Sequence, residues 1–296
     1  MRQTRNAAKL RPVRIVSLLP SATEIVCALG LRPKLVGRSH ECDYPLDTSE
    51  LPAVSLARIA SEQLSSAAID RGDSEAIARG DDLYGVDAGV LAALAPDVII
   101  TQSLCTVCAV SGDGVRSVAA ACGIAPTVIE LEPDGLAGIV ETVELLGREL
   151  GADAAARELA AEMRDRLARL AAQHHTKSPR RVVVLEWLDP PFAAGHWVPE
   201  QVQLAGGIEL LGHPREASFR TDWKTVRATQ PEVVVLAPCG FDEQGTRERA
   251  AADGVADELA GCGARIVCVD ATSHFSRPGP RVVEGVELLA RIFREG

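Results

Sequence analysis

Short apolar runs of strand length, separated by stretches of helical pattern, recur in two series along this chain. That alternation limits the folds open to it more than any other feature. The first series is VRIVSLL, KLVGRS, LPAVSL, APDVIITQS and APTVIEL; the second is RVVVLEW, PEVVVLAP and ARIVCVD. The runs are rich in Val, Ile and Leu and lie between turn-forming residues, as strands buried on both faces do. Strands that alternate with helices pair in parallel through right-handed crossovers. The expected fold class is therefore α/β, with two lobes and a ligand cleft between them.

Between the two series the chain is helical. Residues 136–150 carry Ile139, Val143 and Leu146 at helical spacing, Gly151 interrupts, and Asp153 caps a second run to residue 172. At about 1.5 Å per residue that second run spans roughly 30 Å, enough to bridge two lobes. The expected division is an N-terminal α/β lobe over 1–134, a helical segment over 135–178 that includes the interlobe helix, and a C-terminal α/β lobe over 179–296. A chain of 296 residues accommodates two such domains. Residues 21–29 are expected to form the first helix, capped by Ser21 or Thr23 and stopped by Gly30. In the second series, 199–204, 223–229, 245–259 and 280–293 are helical by pattern. The polar stretch 60–86 reads as an insertion after the third strand, helical over 62–69 and 74–79.

The net charge of −10 disfavours nucleic acid as a partner, because neutralising phosphates needs a Lys/Arg surface. Arg2, Arg5, Lys9, Arg11 and Arg14 read as a solvated basic tail. The stretch that follows them, RIVSLLPSATEIVCALG, is broken by Pro20, Ser21, Thr23 and Glu24, unlike the uninterrupted core of a signal peptide. No run of about 18 apolar residues suggests a membrane span. A cytoplasmic location is the expectation, and the 8 cysteines should then be reduced. Cys27, Cys122, Cys262 and Cys268 lie in apolar contexts and read as small core residues.

In open parallel sheets, ligands bind beyond the C-terminal ends of the strands. The unusual residues of this chain collect in the loops at those ends. His40 and Cys42 lie in HECDYP, and Cys105 and Cys108 in CTVCA. Glu186, Trp187, His196 and Trp197 share EWLDPPFAAGHWVPE; Cys239 lies in PCGFDEQG, and His274 and Arg277 in DATSHFSRPGPR. Scattered core use would not place them all at one end of the strands. Cys105 and Cys108 form a CxxC, which serves as a redox pair, a metal half-site or two small buried residues. With His40 and Cys42 they make a set of the type that holds zinc or, when rich in thiolate, an iron–sulfur cluster. Glu186, His196, Glu200 and His274 form a second group of donors, although a Glu at a strand end often only caps the next helix. Aromatic residues make up 3% of the chain. Trp187 and Trp197 in one loop therefore suggest either a flat apolar face for a ligand or packing beneath the loop. The chain has no GxSxG elbow, no Walker motif and no Rossmann glycine fingerprint, so binding is expected rather than catalysis.

RIVSLLPSATEIVCALGL, VGRSHECDYP, DPPFAAGHWVPEQVQLAGG, TDWKTVRATQPEVVVLAP and DATSHFSRPGPRVVEGVELLARI resemble, in order and spacing, segments of the cobalamin-binding proteins of ABC importers. The resemblance runs from Val13 to near the end of the chain, apart from the insertion at 60–86. It implies two Rossmann-like lobes joined by one rigid helix, with a corrinoid, haem, siderophore or similar metal chelate sandwiched between them. It implies cleft positions for Pro20, with the neighbouring Ser21, and for Tyr44. It places SRPGPR in the final cleft-facing loop, where His274 stands in place of an aromatic residue. The Cys and His residues of HECDYP and CTVCA are not part of the importer pattern and favour a ligand that uses metal donors. Gly89 and Lys224 occupy the positions where importer receptors carry the Glu residues that dock on the permease. Permease docking is thus not expected, and the expected partner is a small molecule; the alternative is an exported substrate-binding protein of an ABC transporter.

Overall fold

The computed structural model describes residues 13–57, 64–79, 83–102, 110–174 and 178–295. The N-terminal part runs β1 (Ile15–Ser17), α1 (Pro20–Ala28), β2 (Leu35–Gly37), β3 (Ser55–Ala57), α2 (Ser66–Arg79), β4 (Tyr84–Val86), α3 (Ala88–Leu94), β5 (Val98–Gln102), α4 (Gly112–Ala121) and β6 (Thr127–Leu131). A four-stranded parallel sheet has the order β2-β1-β5-β6. Side chains alternate across it, as the period of two requires. Ile15 and Ile100 join the core shared with α1, whereas Val16 and Ile99 face the opposite cluster with Leu91 and Val115. Helices therefore cover both faces of a sheet that is apolar on both.

Three local expectations change here. The first helix begins at Pro20 without a side-chain cap, with Leu19 as its N-cap. Proline's fixed φ suits the first turn, and Ser21 and Thr23 are buried inside the helix rather than capping it. The third strand meets the parallel sheet only through a parallel bridge of Ala53 with Arg38, just after β2; its end, β3, pairs antiparallel with β4 as a two-stranded ribbon. The insertion forms one helix, α2, in place of two, because Gly72 is tolerated inside it. The short α3 and α4 were not legible as helices, since burial against the sheet supplies what their local pattern lacks.

Next come α5 (Leu136–Leu150) and α6 (Asp153–His174). Gly151, at φ 70°, ends α5 in the left-handed conformation. Gly147 lets α6 approach closely, since a Cβ there would lie 2.1 Å from that of Ala156. The 22-residue α6 packs against α5 and against α7 and α12 of the C-terminal part.

The C-terminal part runs β7 (Arg180–Leu188), β8 (Pro191–Ala193), α7 (Val198–Leu204), β9 (Gly207–Glu209), β10 (Phe219–Arg220), α8 (Trp223–Ala228), β11 (Val233–Leu236), α9 (Glu243–Ala252), α10 (Val255–Glu258), β12 (Arg265–Cys268), α11 (Ala271–His274) and α12 (Val282–Arg294). Its sheet has the order β10-β8-β7-β11-β12, with β9 beside the first half of β7. The β7, β11 and β12 strands are parallel, as their unbroken Val-rich runs demand; β8 and β10 add an antiparallel edge. Residues 245–259 are not one helix, because Gly254 at φ 67° separates α9 from α10.

Candidate functional site

The C-terminal strand ends of both sheets meet, and polar side chains join them. Glu24, in the buried face of α1, accepts Nε (2.9 Å) and Nη2 (2.6 Å) of Arg281, which lies just before α12. Arg277, in the loop after β12, donates to the carbonyl of Glu41 (3.0 Å) and to the Asp43 carboxylate (Nη2–Oδ2 3.2 Å), and lies 3.6 Å from Glu24. The Arg281 guanidinium also lies 4.2 Å from the centroid of the Tyr44 ring. Gly279 passes close to Ser21: a Cβ there would approach the Ser21 Cα to 3.6 Å. Ser21 is buried, Pro20 is half-buried beside it, and Tyr44 is 46% exposed. Of the residues singled out in sequence, Ser21, Tyr44 and Arg277 lie among these contacts, with Pro20 next to Ser21 in α1.

Glu24, Asp43 and Arg281 were not singled out from sequence, yet they carry these contacts. The signal was present: an acidic residue within a buried helix face needs a partner, and SRPGPR holds two arginines.

The HECDYP loop is held from within. His40 Nδ1 lies 2.7 Å from Ser55 Oγ, its ring is 5.4 Å from that of Tyr84, and burial lowers its pKa. Ser55 Oγ also lies 3.0 Å from Ser39 Oγ and accepts the backbone N–H of His40 (3.1 Å), which pins the loop to β3. Cys42 is buried, its Sγ 3.1 Å from Thr23 Oγ1, and burial pushes its thiol up to about 11. Its neighbour there is the Thr23 hydroxyl, in the buried face of α1. Cys105 and Cys108 lie outside the described residues. Among the described residues, no group of three His, Cys, Asp or Glu side chains is arranged to hold a metal ion.

The remaining candidates divide. Trp197 is not a ligand-facing ring: it is 5% exposed and donates Nε1–H to the carbonyl of Phe275 (2.8 Å). Trp187 is half-buried against Phe241, with ring centroids 6.3 Å apart, and donates to the carbonyl of Ser66 (3.3 Å). Glu186 accepts from the backbone N–H of Gly195 at 3.5 Å. His196, at φ 51°, exchanges backbone hydrogen bonds with Glu216 and Arg215, and burial lowers its pKa. Glu200 accepts the backbone N–H of Leu136 (2.7 Å) and pairs with Arg215 (3.1 Å), so it caps α5 across the lobes. Cys239 is exposed, and its backbone N–H donates to the carbonyl of Glu186 (3.0 Å). His274 is half-buried with its Nδ1 out of reach of any partner among the described residues. The structure therefore does not bring Glu186, His196, Glu200 and His274 into one donor set.

No helix among the described residues is long and apolar enough to cross a membrane. The vitamin B12-binding protein of Vibrio cholerae is 26% identical over 223 residues, covering 75% of this chain and 69% of that one. The cobalamin-binding protein of Halobacterium salinarum is 26% identical over 289 residues, covering 95% of this chain and 69% of that one. Among solved structures, the periplasmic haem-binding protein of Roseiflexus sp. RS-1 in apo form superposes with a TM-score of 0.71 at 23% identity, covering 96% of this chain and 98% of that one. The family described as periplasmic binding protein matches residues 15–259. The chain belongs to that family.

Proposed function

We propose that this protein binds cobalamin or a related metal chelate between its two lobes. The observation that carries the proposal is the meeting of the two strand-end loop sets around Tyr44, Arg277 and Arg281. The names of its relatives supply the ligand class. An exposed Tyr ring beside two arginines suits a flat, partly anionic macrocycle, through stacking on the ring and charge-assisted hydrogen bonds at its rim. Titration of the purified protein with cyanocobalamin and with hemin, followed by Trp fluorescence and calorimetry, tests this. The expected result is saturable one-site binding, weakened about fivefold by Tyr44→Ala through loss of the aromatic contact. Absence of binding of either chelate at roughly 100 μM would overturn the proposal.

The finer cofactor reading is a zinc or iron–sulfur centre on His40, Cys42, Cys105 and Cys108. In that reading Cys42 exchanges Thr23 for the metal, and elemental analysis of the purified protein decides it. Exposed Gly89 and Lys224 support a receptor that does not dock on an importer permease. Failure to complement an importer strain lacking its own receptor is the expected outcome, and rescue would refute it. A reducing compartment such as the cytoplasm suits an exposed thiol at Cys239, and cell fractionation checks that location.

A further inference from the structure

The inserted helix α2 reaches from the β3–β4 ribbon of the N-terminal lobe onto the C-terminal lobe. Trp187 and Arg249 donate to the carbonyls of Ser66 (3.3 Å) and Leu64 (2.8 Å) at its start. The Ser66 hydroxyl, itself 1% exposed, donates to Asp253. One turn on, Asp70 takes Nη2 of Arg220 on both oxygens, at 2.9 and 2.7 Å. Beneath these contacts lie two cation–aromatic pairs, Arg249 over Phe241 at 5.1 Å and Arg220 over Phe192 at 5.6 Å. Trp187 and Phe241 sit at the C-terminal ends of β7 and β11, where a ligand of this fold is expected.

The α2 contacts span the C-terminal sheet from Arg220 through Trp187 in β7 to Arg249 in α9. Arg277 and Arg281 follow the edge strand β12, whereas Arg220 lies in β10 at the other edge. Cavities of about 280 and 360 Å³ open elsewhere on the C-terminal lobe, one beside Glu243 and Leu288, the other beside His174 and Pro214. Neither is lined by residues of the contacts between the lobes.

We infer that α2 is a latch: it holds the ligand-free cleft shut at the Trp187 side, and a chelate of macrocycle size binds only as α2 releases the C-terminal lobe. The inference rests on the binding site proposed above. Its core is independent of any ligand, because a latch restrains both the helix and the loops that the cleft encloses. Bound chelate and latched α2 compete, so weakening the latch strengthens binding.

The test is amide hydrogen exchange on the whole protein without ligand, for the wild type, Asp70→Asn, Arg220→Gln and the exchanged pair Asp70→Arg with Arg220→Asp. Each single variant is expected to speed exchange about fivefold, both in α2 and in the cleft loops 41–45 and 271–278, as loss of one partly exposed ion pair allows. The exchanged pair should restore protection, which a folding defect would not. Faster exchange in α2 alone, or no change in either region, would overturn the latch. Titration of the same variants with cyanocobalamin and hemin should show about fivefold tighter binding for the singles. Unchanged affinity would also overturn it. If neither chelate binds the wild type or any variant, the binding-site proposal and the latch's role in chelate entry both fail.

Discussion

Glu24 and Arg281 come from opposite lobes and form a two-point ion pair, with Nη2–Oε1 at 2.6 Å and Nε–Oε2 at 2.9 Å. The Glu24 side chain is 3% exposed and that of Arg281 18%. A buried pair of this type adds little against a well-packed apolar pair, but stranding one partner is expensive. Glu24→Ala should therefore lower unfolding stability by about 3 kcal/mol. Glu24→Leu combined with Arg281→Met should recover most of that loss. Urea unfolding of both variants measures it; a loss below about 1 kcal/mol for the single change would show the pair to be solvated.

Trp197 and Trp187 should respond differently to substitution. Trp197→Phe removes a buried donor from the Phe275 carbonyl and should destabilise the C-terminal lobe by about 1–2 kcal/mol. Trp187→Phe removes a donor from a ring that is only half-buried and should lose less than about 1 kcal/mol. Chemical unfolding monitored by circular dichroism separates them, and equal losses would contradict the difference in burial.

Thiol reactivity should follow exposure and burial-raised pKa. Cys239 is exposed, whereas Cys27 and Cys42 are pushed up to about 11 by burial. Thiolate is the reacting form, so at neutral pH iodoacetamide should label Cys239 well before Cys42. Peptide mass spectrometry over a time course checks the order. Labelling of Cys42 first would mean that the HECDYP loop opens readily.

Glu209 is half-buried at the edge of a cavity, and its carboxyl accepts the backbone N–H groups of Val184 (3.0 Å), Leu211 (3.1 Å) and Gly212 (3.3 Å). Those donors favour the charged form, but burial outweighs them and pushes the group up to about 8. The folded state therefore binds a proton more tightly than the unfolded chain does. Its contribution to stability is full below the ordinary carboxyl range near 4.5 and is lost as pH rises toward 8. Glu209→Gln should be destabilised by about 1–3 kcal/mol, since its amide NH₂ faces a backbone donor. It should also lose this part of the pH dependence. Thermal midpoints of both proteins between pH 5 and 9 test this; parallel curves would show Glu209 not to titrate there.

The strand–helix alternation, the doubled series and the long middle helix were legible because each depends on local pattern. Val183, Val234 and Ile99 sit in unbroken apolar runs, and such runs are stable only when covered on both faces. Loop residues at the strand ends were legible for the same reason, since parallel topology places every βα loop on one side. Side-chain direction was not. Trp187 and Trp197 read as neighbours in one loop, yet Trp187 lies in β7 and meets α2, while Trp197 follows β8, just before α7, and turns into the core.

The amino-acid sequence by itself determined the fold class and the succession of the main strands along the chain, which follow from periodicity and burial. Only the tertiary structure decided which charges meet across the lobes and that the insertion is a single helix laid onto Trp187, Arg220 and Asp253. Such contacts join residues more than a hundred positions apart. Their energies depend on distance and burial, which no local pattern encodes.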